Sequence, residues 1–156
     1  MIKSSESKYV QHQKCVWEDK VNFIIQLEGA YGEGMWVKEQ VGTRKIEPGL
    51  VELCCLPFYL YGYTLGDILE ISVNDLTFQR IVKKSGRFLF RIIFSCPVER
   101  TVQIADHCKS EFNALFEWHS SKFGAVDLET ADLANKFWEY AKSCQIAGEL
   151  EVETGY

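Results

Sequence analysis

Residues 56–91 constrain the fold more than any other part of this 156-residue chain. Short apolar runs alternate there with turn residues, which is typical of strands joined by tight turns. Asn74 and Asp75 separate two such runs, and because both tolerate positive φ, they predict a β-hairpin. A Ser-Gly turn then leads into a further strand at residues 87–95. The segment therefore predicts a meander of antiparallel strands.

Two amphipathic helices follow the meander. Pro97 suits the first turn of a helix, because its missing N–H would have no partner there. Apolar residues then recur every three or four positions through His119, which predicts one continuous helix. A second helix begins after a cap at either Asp127 or Thr130 and ends at Gly148.

The order of elements predicts the fold class. Many strands precede the first helix, and two more strands are predicted at residues 123–128 and 149–153. This order indicates an α+β protein with a mostly antiparallel sheet and two helices packed on one face. The polar residues 1–14 are expected to form a flexible N-terminal segment. Residues 15–156 are expected to form a single domain.

Composition favours a cytoplasmic protein. The first 14 residues lack the apolar core of a secretory signal, and no run approaches the roughly 20 apolar residues of a membrane span. We therefore expect a cytoplasmic chain without membrane contact. Cysteines in such a chain are expected to be reduced thiols, most of them buried as small apolar residues. The six are Cys15, Cys54, Cys55, Cys96, Cys108 and Cys144.

No pattern of residues indicates a catalytic or a metal site. Zinc ligands usually occur as pairs two to four residues apart, whereas Cys54 and Cys55 are adjacent. A thiol nucleophile needs a nearby base, and Cys96, at the predicted start of the first helix, has no histidine close to it in sequence. We therefore expect no metal, no cofactor and no enzymatic activity.

Acidic residues are concentrated at the C-terminal end. The net charge is −5, and residues 123–156 contain seven acidic and two basic side chains. Such a surface either keeps a protein in solution or attracts a basic partner. The candidate partner-binding residues are Asp127, Glu129, Asp132, Glu149, Glu151 and Glu153, with Trp138 as an aromatic anchor.

A predicted basic hairpin at residues 80–91 offers a second kind of surface. Residues 80–91 contain five cationic side chains and no acid, with phenylalanines between them, as in platforms that bind single-stranded nucleic acid. The net negative charge of the chain weakens attraction to phosphates, so nucleic acid is the less favoured partner. The residues concerned are Arg80, Lys83, Lys84, Arg87 and Arg91.

Four short motifs resemble those of a bacterial family of small, standalone, uncharacterised domains. Met35-Trp36-Val37 corresponds to that family's Leu-Trp-Val strand, and Leu56-Pro57-Phe58 to its Pro-Phe step. Gly66-Asp67-Ile68-Leu69 resembles its Gly-Asp-Val-Val strand start, and Ser85-Gly86 precedes an arginine strand through Arg91. The likeness covers residues 20–153, although the family's proline-containing loop is replaced here by residues 29–34.

Members of that family are similar to the immunity proteins found beside bacterial toxins, including those of contact-dependent growth inhibition. The resemblance implies a cytoplasmic binding protein that neutralises a cognate toxin domain, for example a nuclease, by occluding its active site. The alternative from the residues themselves is a nucleic-acid-binding module that uses residues 80–91.

Overall fold

The computed structural model describes residues 6–155. It contains three layers: a six-stranded sheet A, a four-stranded sheet B and two helices. Sheet A consists of β1 (Glu6–Gln11), β2 (Phe23–Ala30), β3 (Met35–Glu47), β4 (Leu50–Leu53), β5 (Ile68–Ile71) and β6 (Phe78–Lys83). Sheet B consists of β7 (Phe88–Phe94), β8 (Leu115–Trp118), β9 (Phe123–Leu128) and β10 (Leu150–Thr154), and the helices are α1 (Val98–Phe112) and α2 (Ala131–Ile146). The α+β class is therefore confirmed, with two sheets where one was expected.

Sheet A is organised around the long strand β3. Strand β2 pairs antiparallel with one edge of β3. On the opposite edge, β1 pairs in parallel with residues 35–40 and β4 pairs antiparallel with residues 43–47. Strands β5 and β6 continue the sheet in antiparallel order, as the predicted hairpin requires. The connection spans residues 72–77, and the positive φ expected to suit Asn74 or Asp75 occurs instead at Leu76, with φ of 61°.

Sheet B lies between sheet A and the helices, in the strand order β10-β7-β9-β8. Alternate side chains of β7 face opposite layers, as strand geometry requires. Phe90, Ile92 and Phe94 pack with the helices in one core. Leu89 belongs to the second core, which sheet B shares with sheet A. Helix α2 is capped by Thr130, whose Oγ1 accepts a hydrogen bond from the Leu133 N–H at 3.2 Å.

The expected flexible segment at residues 1–14 is wrong for residues 6–11. These residues form β1, and Val10 is buried against sheet A. The backbone of a polar segment gains regular hydrogen bonds when a neighbouring strand edge is free, and the sequence does not show that β3 offers such an edge. Residues 1–5 lie outside the described part of the chain.

The first helix is shorter than its apolar period predicts. It ends at Phe112, because Asn113 adopts the left-handed conformation with φ of 54°. Asparagine is one of the few residues that tolerate this conformation, which terminates many helices. Leu115 and Phe116, which continue the apolar period, instead belong to strand β8.

The expectation of six reduced cysteines is also wrong. Cys15 and Cys55 form a disulfide that joins the segment after β1 to the segment after β4, 40 residues apart in sequence. The irregular cysteine spacing did not reveal this pair, because the tertiary structure places the segment after β1 beside the segment after β4, as the hydrogen bond from the Trp17 N–H to the Cys54 carbonyl also shows. The other four cysteines are free thiols, and only Cys96 among them is partly exposed.

Within residues 6–155, neither helix combines the length and the apolar character that a membrane-crossing helix needs.

Candidate functional site

A cleft of about 520 Å³ opens where β10 forms the edge of sheet B. Arg91 lies at its buried side, and Glu151 and Glu153 stand on β10 at its exposed side. Tyr31 and Phe123 contribute aromatic walls. The remaining lining residues are Ile93, Gln145 and Val152.

The two glutamates face the cleft because of strand register. Glu153 pairs with Arg91 and Glu151 pairs with Ile93 across β7 and β10, so that all four side chains lie on one face of the sheet. Two residues along a strand place the glutamates roughly 7 Å apart. The Tyr61 hydroxyl donates a hydrogen bond to Glu153 at 2.9 Å, whereas Glu151 projects into solvent.

Arg91 directs its charge into the protein. Only 2% of its side chain is exposed, and Nη1 donates to the carbonyl oxygen of Tyr59 at 3.2 Å while Nη2 donates to that of Leu60. Burial lowers the pKa of Arg91, but a guanidinium stays protonated in proteins. Its Nη1 lies 3.8 Å from Glu153. The arginine therefore supports the cleft from below and leaves both carboxylates at the surface.

Aromatic rings stiffen the wall beside the carboxylates. The rings of Tyr31 and Tyr61 stack at 6.5 Å between centroids, and Tyr31 meets Tyr59 edge to face at 5.3 Å. The Arg91 guanidinium lies 4.5 Å from the centre of the Tyr61 ring. Carboxylates beside aromatic faces form an environment that favours a cation through ion pairing and cation–π attraction.

The predicted acidic residues do not form one surface. Asp127 is buried and binds Arg87, whose Nε lies 3.0 Å from both carboxylate oxygens. Burial raises the pKa of Asp127. Glu149 accepts hydrogen bonds from Arg100, and Glu149 and Glu153 lie roughly 13 Å apart along the chain. Only Glu151 and Glu153 share a cleft.

The other three predicted partner-binding residues lie elsewhere. Glu129 and Asp132 are exposed between β9 and the first turn of α2, and Asp132 pairs with Lys136 at 3.1 Å. Trp138 is half-buried in the helix layer, with its ring 5.7 Å from that of Phe90. None of the three lines the cleft.

The basic segment at residues 80–91 is not a hairpin, because β6 belongs to sheet A and β7 to sheet B. Arg80 pairs with Glu70 at 3.3 Å and Lys84 with Asp67 at 2.6 Å. Arg87 binds Asp127, and Arg91 is buried in the cleft wall. Within residues 6–155, Lys83 is the one member of this set that is exposed and forms no ion pair.

A second polar cluster, which sequence reasoning missed, is buried between the two sheets. The Nε2 atom of His12 lies 2.9 Å from Glu39 Oε1, and its Nδ1 bonds to Glu117 Oε2. At most 2% of each side chain is exposed. Burial alone would lower the pKa of His12, but the hydrogen bonds to Glu117 and Glu39 outweigh it and raise the pKa to about 9. His12 is therefore a buried imidazolium between two carboxylates.

Backbone donors complete this cluster. Glu39 accepts hydrogen bonds from the N–H groups of residues 58, 59 and 60 at 2.7, 3.1 and 3.0 Å. Glu117 Oε1 accepts from the N–H groups of Val16 and Leu56 at 3.1 and 3.2 Å. Buried carboxylates need such partners. The cluster thereby joins β1, β3, β8 and the segment that carries Cys55.

Comparison with known proteins places the chain in an uncharacterised group. Residues 33–147 match the model of a family described as "Domain of unknown function (DUF4265)". No curated protein matches the chain. Among solved structures, it is similar to a hypothetical protein from Neisseria gonorrhoeae, with a TM-score of 0.72 and 13% sequence identity, over 85% of this chain and 92% of that one. At that identity the likeness shows the fold alone.

Proposed function

The chain belongs to the DUF4265 family, whose description names no activity, and we propose that it is a binding protein of the immunity type. On this proposal it acts in the cytoplasm and neutralises a cognate toxin domain by covering that domain's active site. The single observation that carries the proposal is the cleft with Glu151 and Glu153 at its open side.

The cleft suits a basic side chain of a protein partner. A lysine or arginine could place its cationic group between Glu151 and Glu153, while its methylene chain packs on Tyr31 and Phe123. Arg91 donates to backbone carbonyls inside the protein and also lies 3.8 Å from Glu153. With Glu151 and Glu153 it leaves the cleft a net charge of −1. The exposed side of the cleft therefore attracts cations.

Toxins that act on nucleic acids need basic clefts to hold phosphates, so an acidic recess is their electrostatic complement. Complementary charge accelerates association and disfavours wrong partners, while packing in the recess limits dissociation. This argument applies to the two glutamates of the cleft. The other four predicted acids do not enter it, since they lie outside the cleft.

The proposal is tested with the reading frame next to this gene. The C-terminal domain of the protein that this neighbouring frame encodes is expressed in a bacterial host, with and without the present chain. The two purified proteins are then mixed and analysed by size-exclusion chromatography. We expect restored growth and a stable complex. A neighbouring domain that stays toxic and forms no complex would contradict the proposal.

The alternative, nucleic-acid binding through residues 80–91, has less support because four of its five cations are ion-paired and one of these, Arg91, is also buried. Gel-shift titration across salt concentrations separates the two functions, since phosphate contacts produce a steep salt dependence. We expect no shift of single-stranded RNA or DNA at physiological salt.

A further inference from the structure

The Cys15–Cys55 disulfide lies beside the buried His12 cluster. One ligand atom each from His12, Cys55 and Glu117 lies within 4.8 Å of the other two. Cys15 brings a second sulfur to the same place, because it is bonded to Cys55. Two sulfurs, an imidazole nitrogen and a carboxylate oxygen therefore converge from three segments distant in sequence, namely residues 12–15, Cys55 and Glu117.

We propose that Cys15 and Cys55, once reduced, complete a Zn²⁺ site with His12 Nδ1 and a carboxylate oxygen of Glu117. Two thiolates, one imidazole and one carboxylate are ligands that Zn²⁺ accepts, and four ligands satisfy its tetrahedral geometry. This inference is independent of the proposed binding function, since none of the four residues lines the acidic cleft.

The outer contacts of His12 are those of a metal-bound histidine. A ligating imidazole typically donates its second N–H to a carboxylate, which fixes the ring and its tautomer. Glu39 fills this role at Nε2, at 2.9 Å, and is itself held by three backbone N–H groups. The ring is also stacked on Phe58, with 4.3 Å between centroids. Nδ1 is therefore held toward Glu117 and Cys55.

Hydrogen bonds also position Glu117 and Cys55 as metal ligands. Glu117 Oε1 is occupied by two backbone N–H groups, so that Oε2 is the oxygen left for His12 or for a metal. The Gly42 N–H donates to Cys55 Sγ at 3.0 Å, a contact that stabilises a thiolate. A Cβ at Gly42 would lie 2.8 Å from Cys15 Sγ. Only glycine, which has no Cβ, therefore leaves enough space for this sulfur.

The change from the Cys15–Cys55 disulfide to the zinc-bound form conserves electrons and protons. A dithiol reductant transfers two electrons and two protons to the disulfide and itself becomes a disulfide. Zn²⁺ then displaces the protons of both thiols and the proton shared by His12 Nδ1 and Glu117. The sulfurs must separate to about 3.8 Å, the distance between two ligands of a tetrahedral zinc with Zn–S bonds of about 2.3 Å. Disulfides are rare in the cytoplasm, so a cytoplasmic chain would populate the reduced state.

The test uses Co²⁺ as a spectroscopic substitute for Zn²⁺ on the full chain. Metal-free protein is prepared in two forms, one with the Cys15–Cys55 disulfide intact and one in which a phosphine has reduced it. Each form is titrated with Co²⁺. We expect the reduced protein alone to develop thiolate-to-cobalt charge-transfer bands and the strong visible bands of tetrahedral cobalt, at one ion per chain. Zn²⁺ should then displace the cobalt. Absence of these bands in the reduced wild-type protein would by itself overturn the proposal, and no variant is needed for that result.

Variants then locate the site. Cys55→Ser should weaken Zn²⁺ binding by at least about 100-fold, since loss of an outer partner alone costs 10–100-fold. The matched control is Cys54→Ser, the adjacent buried cysteine whose thiol contacts the Glu52 carbonyl instead. Circular dichroism confirms that both variants are folded. Equal loss in the two variants, or unchanged affinity in Cys55→Ser, would contradict the assignment.

Discussion

Glu39 Oε1 lies 2.9 Å from His12 Nε2, and both side chains are fully buried. The two residues belong to different segments, since β1 precedes His12 and β3 carries Glu39. Their bond therefore fastens the first strand of the described chain to the centre of sheet A. A buried imidazolium is costly unless carboxylates neutralise it, and here two do.

This cluster predicts a pH range of maximal stability. The folded pKa of His12, about 9, lies above its ordinary value of 6.5. Its stabilising contribution is therefore fully present below about pH 6.5 and is lost as pH rises through 9. The shift corresponds to about 3 kcal/mol. Hydrogen bonds lower the pKa of Glu39 against the opposing effect of burial, so its contribution is lost as pH falls into the acid range.

Denaturant unfolding at about pH 6 and about pH 10 measures the His12 contribution. We expect wild-type protein to lose more stability between these values than His12→Gln does. The control is His107→Gln, an exposed histidine on α1, which should behave as wild type. Equal pH dependence in wild type and His12→Gln would show that His12 is not charged in the folded protein.

Removal of Arg87, which the sequence predicted as a nucleic-acid-binding residue, should strongly destabilise the fold, because Arg87 pairs with the buried Asp127. In Arg87→Ala the buried Asp127 loses its cation, and breaking a buried pair on one side costs about 3–5 kcal/mol. Arg80→Ala is the matched control, because its pair with Glu70 is largely exposed and is worth at most about 1 kcal/mol. Urea denaturation of both variants measures the difference, and comparable losses would argue against the buried pair.

The acidic cleft predicts which charges matter for a basic partner. Glu151→Lys with Glu153→Lys should slow association with the neighbouring gene's toxin domain by about tenfold or more at low salt, because steering is lost. Asp132→Lys changes the same kind of charge outside the cleft and should have little effect. Stopped-flow or surface-plasmon measurements over a range of salt give the rates. If Asp132→Lys slowed association as much, net charge and not the cleft would be responsible.

Gly42 predicts a steric effect beside the disulfide. A Cβ there would lie 2.8 Å from both Cys15 Sγ and Val21 Cγ2. Gly42→Ala should therefore destabilise the protein by about 1–3 kcal/mol, the usual cost of overpacking. Gly29→Ala is the milder comparison, since the nearest atom to its Cβ would be the terminal Cδ2 of Leu60, at 3.1 Å. Thermal unfolding distinguishes them, and a harmless Gly42→Ala would mean that the sulfur position is not constrained.

Local patterns predicted the elements whose causes are local. The Asn74–Asp75 turn and the Thr130 cap depend on residues a few positions away, and both the hairpin and the cap are present. The strand predicted at residues 149–153 is present as β10, with Glu151 and Glu153 on its exposed face. The helix period failed at Asn113, because a single left-handed residue ends a helix without changing the apolar spacing around it.

The sequence by itself determined the α+β class and the order of most elements, because strand alternation and helix periodicity are properties of neighbouring residues. The cleft that Glu151 and Glu153 share appeared only in the structure. Only the tertiary structure decided which charges are free. Asp127 and Arg87 neutralise each other across β7 and β9, and His12, Cys15, Cys55 and Glu117 meet between the two sheets. Such contacts depend on which strands become neighbours, and strand pairing is set by the packing of whole layers.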